Sequence, residues 1–135
     1  MDAFFGSWTL VTKENANEYM EALGVLPAMK LYLWNMKTVV IFSQDGDYIV
    51  KKIKMFEAIN RTFTLTFKLG EEFDESTIDF RVCKSVLNLE GGKLIHLQKW
   101  DGKENTTIYE VQDEKLIITL IFRDIVSVWT FVKIK

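Results

Sequence analysis

Hydrophobic positions follow two regimes along this chain. Between about Asn15 and Met36 they recur at helical spacing; over the rest they sit in short β-branched or aromatic runs separated by turn residues. Asn15 stands where a helix cap would, with Glu18 as the other half of a capping box, and Tyr19, Met20 and Leu23 then form one apolar stripe. Gly24 is a stop signal. Pro27 suits the first turn of a second helix, along which Leu31, Tyr32 and Trp34 are spread around much of the surface. Asp45-Gly46, Gly91-Gly92 and Asp101-Gly102 are hairpin signals, and runs such as Thr62 to Phe67 and Leu116 to Phe122 read as strands. Two clustered helices followed by about eight more strands predict an all-β fold, an antiparallel barrel carrying a helical insertion.

Composition narrows the function classes. A chain of 135 residues forms one domain, 1–135, that stands without disulfides or a structural metal. No linker, low-complexity tract or clear repeat interrupts it. Cys83 is the single cysteine and cannot form an internal disulfide, which is compatible with a reducing compartment. The start, Met1-Asp2-Ala3, has no basic or apolar leader region, and no apolar run approaches the roughly 18 residues of a membrane span, so a cytoplasmic location is expected. A net charge of −2 without a concentrated basic face gives no footing for nucleic acid. Lys51-Lys52 and Lys54 read as the solvated face of a strand, and Glu71-Glu72 with Asp74-Glu75, after Gly70, as a solvated turn. His96 is the only histidine and reads as a hydrogen-bonded residue lining a barrel wall. With Cys83 it forms no recognisable nucleophile pair, and there is no Gly-x-Ser-x-Gly elbow or phosphate loop. One histidine and one cysteine leave no convincing metal set, so neither metal nor cofactor is expected.

Three stretches carry a resemblance. Gly6-Ser7-Trp8, then Glu72-Phe73-Asp74-Glu75 with Lys84-Ser85, then Gln98-Lys99-Trp100-Asp101-Gly102-Lys103 resemble, in that order and spacing, the intracellular lipid-binding protein family, most of all its heart, brain and adipocyte fatty-acid-binding branch. The resemblance runs essentially end to end. It implies a ten-stranded antiparallel up-and-down clam-shaped β-barrel with a helix-turn-helix lid after the first strand, and a non-enzymatic carrier of one small hydrophobic ligand. The lumen lining it implies is Met20 and Leu33 from the lid, Ile78, Asp79, Arg81 and Gln98 from the middle strands, and Thr107, Tyr109, Ile118, Leu120, Trp129 and Phe131 from the closing ones. Met29, Tyr32, Trp34, Met36, Phe56 and Ile59 would surround the portal. Fatty-acid carriers of this kind hold the ligand carboxylate with two buried arginines and a tyrosine, and those positions fall on Tyr109, Trp129 and Phe131. The scaffold is kept while the anion anchor is replaced. Other departures gather at the mouth: Ala16 follows the capping asparagine where the family has an aromatic, Pro27 to Met36 is unusually apolar, and Lys54 to Arg61 is longer than its counterpart. Such clustering fits strong divergence or redesign.

With Trp129 and Phe131 turned inward, alternation puts Ser127 and Lys133 on the same face and Val126, Val128, Val132 and Ile134 outside. That apolar exterior implies either a covering partner or a register slipped by one. Lys133 is then the one lysine expected inward, and the only footing for amine chemistry. An ionised carboxylate without a cationic partner costs several kcal/mol in a low-dielectric lumen, of which about 0.8 kcal/mol returns with each buried methylene. Charge therefore favours a neutral lipid-like or aromatic ligand over a fatty acid whose head would stay near the portal or Arg81. Arg81 and Gln98 are the polar handles. Alternatively, Trp129 and Phe131 fill the lumen, leaving protein interaction or self-association through the lid helix and last strand. A monomer is expected, with a dimer as the alternative, and Lys30 and Lys37 flanking a lid with Trp34 would allow transient membrane contact.

Overall fold

The computed structural model describes residues 1–25, 37–56 and 60–134. A 3-10 turn over Asp2–Phe4 leads into β1 (Gly6–Glu14) and helix α1 (Ala16–Leu23). The strands that follow are β2 (Lys37–Asp45), β3 (Tyr48–Phe56), β4 (Arg61–Phe67), β5 (Phe73–Ser76), β6 (Val82–Glu90), β7 (Lys93–Trp100), β8 (Lys103–Gln112), β9 (Lys115–Phe122) and β10 (Ile125–Lys133). The hydrogen-bonded order is β4-β3-β2-β1-β10-β9-β8-β7-β6-β5, so the sheet runs up and down with β1 joined to β10. Its two edges, β4 and β5, share no ladder. Phe67 and Phe73 stack across that seam with centroids 6.4 Å apart, so a side-chain contact bridges it where backbone pairing does not.

The hairpin signals act as turns, with Asp101 and Gly102 both in the left-handed region at φ 46° and 72°. The β8–β9 turn has the same conformation without glycine, at Asp113 (φ 51°) and Glu114 (φ 62°). Aspartate tolerates that region; glutamate costs roughly 1–2 kcal/mol there, which the paired strands on either side offset. The sequence carries no signal for this turn because its residue types are ordinary.

Asn15 is corrected from the capping-box reading. It adopts φ 58° and its side chain caps nothing in α1. Its Nδ2 instead donates to the Val126 carbonyl at 2.9 Å, tethering the helix start to β10. Gly24 ends α1 as expected, at φ 84°, and the Val25 amide returns to the Met20 carbonyl at 3.0 Å. Ala16, Tyr19 and Met20 pack on Phe122, Leu120 and Trp129 at the lid end of the barrel. The second helix, Pro27 to Met36, lies outside the described residues.

The opposite end is a floor of Phe4, Trp8, Phe42, Leu87, Leu94, Leu116 and Phe131. Burial of each such side chain contributes roughly 1.5–3 kcal/mol. The polar atoms there are satisfied: Trp8 Nε1 donates to the Phe4 carbonyl at 2.9 Å, and Lys133 Nζ to the Phe5 carbonyl at 2.6 Å. On β10, Ser127 and Phe131 are buried and Trp129 faces the lumen, opposite Leu120, Leu116 and Ile118 respectively on β9, so the register is not slipped. Of the outward row, Val126 and Ile134 are exposed while Val128 and Val132 are half-buried.

Candidate functional site

Between floor and lid the barrel keeps a cavity of about 280 Å³, so the lumen is not filled by its own side chains. Strand alternation aims Val40 of β2, Ile53 and Met55 of β3, Phe63 and Leu65 of β4, and Ile118 and Leu120 of β9 into it. A broader depression outside the wall, near Lys84, Lys99 and Glu104, is lined by surface ion pairs and opens to solvent.

Met20, Ile78, Asp79, Arg81, Gln98, Thr107, Tyr109, Ile118, Leu120, Trp129 and Phe131 all line this one cavity. Leu33 and the portal residues Met29, Tyr32, Trp34, Met36 and Ile59 fall outside the described residues. Phe56 ends β3, half-buried and away from the lining. Trp129 Nε1 donates to Ser127 Oγ at 2.9 Å, which itself donates to the Glu14 carbonyl at 2.7 Å. The indole is therefore held in one orientation, with Lys13 Nζ 5.3 Å from its ring centre.

One side of the lumen is a continuous polar network. Tyr19 donates to Asn105 Oδ1 at 2.6 Å, and Asn105 Nδ2 to Gln98 Oε1 at 3.0 Å. Gln98 Oε1 also receives Arg81 Nη1 at 3.5 Å, while Gln98 Nε2 donates to Glu75 Oε1 at 3.0 Å. The same Glu75 oxygen accepts from Ser85 Oγ at 2.8 Å and meets His96 Nε2 at 2.9 Å. Arg81 is held by Asp79 through Nε at 2.7 Å and Nη2 at 3.0 Å, with its guanidinium 4.5 Å from the Trp100 ring centre. Glu75 is thus corrected from a solvated turn to a lumen carboxylate, because Phe73 and Glu75 alternate inward on β5.

Burial would raise the Glu75 carboxyl, but the hydrogen bonds from His96, Gln98 and Ser85, together with the His96 charge, outweigh it and hold the group down at about 2. Burial lowers His96 below its ordinary value, the Glu75 hydrogen bond opposing and Lys51 and Arg81 adding to the shift. At neutral pH the pair is therefore a carboxylate receiving an N–H from a neutral imidazole. Tyr19 is pushed up, chiefly by burial. Asp79 stays below its ordinary range because the Arg81 and Thr77 hydrogen bonds exceed its desolvation.

Lys51 is the second correction. On β3 the inward positions are Ile49, Lys51, Ile53 and Met55, while Lys52 and Lys54 point out as expected. Only the parity of β3 relative to the lumen separates Lys51 from its neighbours, and a run of three cations within four residues hides it. Lys51 Nζ donates to the Tyr109 hydroxyl at 2.7 Å, across a lumen whose two walls, β3 and β8, are not neighbours in the sheet.

The chain matches the model of the lipocalin / cytosolic fatty-acid binding protein family over residues 5–132. It belongs to that family. Among solved members and relatives it is similar to the wild-type fluorescent protein UnaG, with 37% identity, 98% of each chain covered and a TM-score of 0.91. A fatty-acid-binding protein from brain tissue of Drosophila melanogaster is 34% identical, over 96% of this chain and 98% of that one, with a TM-score of 0.87. A Schistosoma mansoni fatty acid binding protein, solved in complex with arachidonic acid, is 28% identical over 100% of this chain and 98% of that one, at a TM-score of 0.93. This member of the lipocalin / cytosolic fatty-acid binding protein family keeps the ten-stranded barrel and carries its own set of lumen side chains. Among the described residues no helix is long and apolar enough to cross a membrane.

Proposed function

We propose that this protein is a non-enzymatic carrier that encloses one compact hydrophobic molecule in the barrel lumen, with the ligand's polar end against the lumen's polar side chains. The observation that carries this reading is the cavity of about 280 Å³ lined by aliphatic and aromatic groups with a few fixed polar ones, the composition of a small-molecule site. Met20, Ile78, Ile118, Leu120, Trp129 and Phe131 supply apolar contact; Asp79, Arg81, Gln98, Thr107 and Tyr109 orient the guest. Affinity comes from apolar burial at about 0.8 kcal/mol for each methylene. The carrier works in the cytoplasm as a monomer; pairing on both edges of β10 leaves that strand no free edge for a second copy. An acidic guest is admitted as well as a neutral one, because the case for a neutral ligand rested on a lumen without a spare cation and Lys51 stands in it.

Native mass spectrometry of the purified protein, followed by organic extraction and titration with an apolar fluorescent probe, tests the reading. One small hydrophobic passenger or one probe per chain is expected. A protein that is empty and also refuses the probe would overturn it. Sedimentation across a concentration series checks the monomer.

A further inference from the structure

Of the charged groups that line the lumen, one stands apart. Arg81 is matched by Asp79, and Glu75 receives three hydrogen bonds on one oxygen. Lys51 is only 7% exposed, yet among the described residues no carboxylate lies within ion-pairing distance of its Nζ. Its protein partner is neutral: Nζ donates to the Tyr109 oxygen at 2.7 Å and lies 5.1 Å from that ring's centre. An ammonium carries three N–H bonds, so that contact leaves further donors unspent. Tyr109 is 4% exposed, and its hydroxyl, occupied as an acceptor, has no acceptor for its own hydrogen among the described residues.

Buried donors without acceptors are costly, and a buried ammonium without a counter-charge more so. Here both line the space a ligand would enter. The position is fixed from below, since Tyr109 sets its ring edge against Phe42 at 5.7 Å and 88°, and Phe42 packs on Phe4 of the floor. The unspent donors therefore sit at the deep end of the cavity, with the aliphatic side chains of Met20 and Leu23 toward the lid.

We propose that Lys51 and Tyr109 form an oxyanion site for the carboxylate of an amphipathic acid, which enters head-down with its apolar body toward the lid. The proposal rests on the carrier reading above. A carboxylate brings two acceptor oxygens and the missing negative charge, satisfying the ammonium and the tyrosine hydroxyl together. The site is formed from β3 and β8, and Lys51 supplies a cation in a chain whose positions for the two arginines implied by the resemblance hold Tyr109 and Trp129.

Paired ligands of equal length test it: decanoic acid against 1-decanol, measured by calorimetry and by displacement of an apolar fluorescent probe at pH 8. The intact protein should bind the acid at least tenfold more tightly than the alcohol. Lys51→Met, which keeps an unbranched apolar chain in place, should remove that preference by weakening the acid about tenfold more than the alcohol; Lys51→Arg should keep most of it. Tyr109→Phe preserves the ring against Phe42 and should weaken the acid several-fold, so the proposal stays testable should Lys51→Met fold poorly. An acid-to-alcohol ratio unchanged in Lys51→Met and Tyr109→Phe would overturn the proposal and leave the carrier intact. Failure of the intact protein to bind acid, alcohol or probe would overturn both.

Discussion

Trp129→Ala separates a wall of the ligand space from a mere packing element. A fully buried tryptophan truncated to alanine costs roughly 3–5 kcal/mol. Trp129 is half-buried and already borders the cavity, so fewer contacts are lost. The hydrogen bond to Ser127 disappears, but Ser127 keeps its bond to the Glu14 carbonyl, leaving no buried donor stranded. A destabilisation of about 2–3 kcal/mol is expected, read from the urea midpoint at unchanged slope. The space once held by the indole joins the cavity of about 280 Å³, making room for at least two or three further methylenes. At about 0.8 kcal/mol each, those methylenes are worth roughly 15- to 60-fold in affinity. Displacement of a fluorescent probe by an alkanol series should thus show the best chain length shifting upward in the variant while the shortest members change little. A stability loss with the same optimum length would refute the assignment of Trp129 to the ligand wall.

Acid should weaken the fold through two groups whose folded values are depressed. The stability contributed by Glu75 is fully present above its ordinary 4.5 and is lost as pH falls toward about 2, a change of about 3 kcal/mol; His96, lowered from 6.5, begins its own loss below that pH. Urea unfolding at pH 7, 5 and 3 should trace both steps, and Glu75→Gln should be less stable at pH 7 but flatter below pH 4.5; a parallel acid limb would contradict the role given to Glu75. Gly6→Ala should cost about 2–3 kcal/mol in the same assay, because its φ of 124° suits glycine alone and the new Cβ would meet Lys133 Nζ at 2.7 Å. Asn15→Ala should lower the melting temperature more than Asn15→Gly, since both lose the tether to Val126 but only alanine is strained at φ 58°; equal losses would argue against the left-handed start of α1.

Much of the barrel was legible because alternation and turn chemistry are local. Asp101-Gly102 can adopt two successive left-handed residues, Gly24 can end a helix, and the run from Leu116 to Phe122 has no other use for its branched side chains. The turn at Asp113-Glu114 was not legible, because flanking strands impose its conformation on residues that do not demand it. Asn15 had the right type and spacing for a cap, yet a carbonyl 111 positions away takes its amide.

By itself the sequence determined the family and the barrel, and the resemblance carried by motifs spread over the whole chain named Trp129, Phe131, Gln98 and Tyr109, which border the cavity. Tertiary structure alone added two further charges to the lumen wall. Lys51 and Glu75 look like their solvated neighbours until the sheet closes and the parity of β3 and β5 turns these two inward. The physical reason is that a strand's periodicity separates its two faces but does not say which one is enclosed. Closing the barrel chooses the face, and with it whether a cation is surface or site.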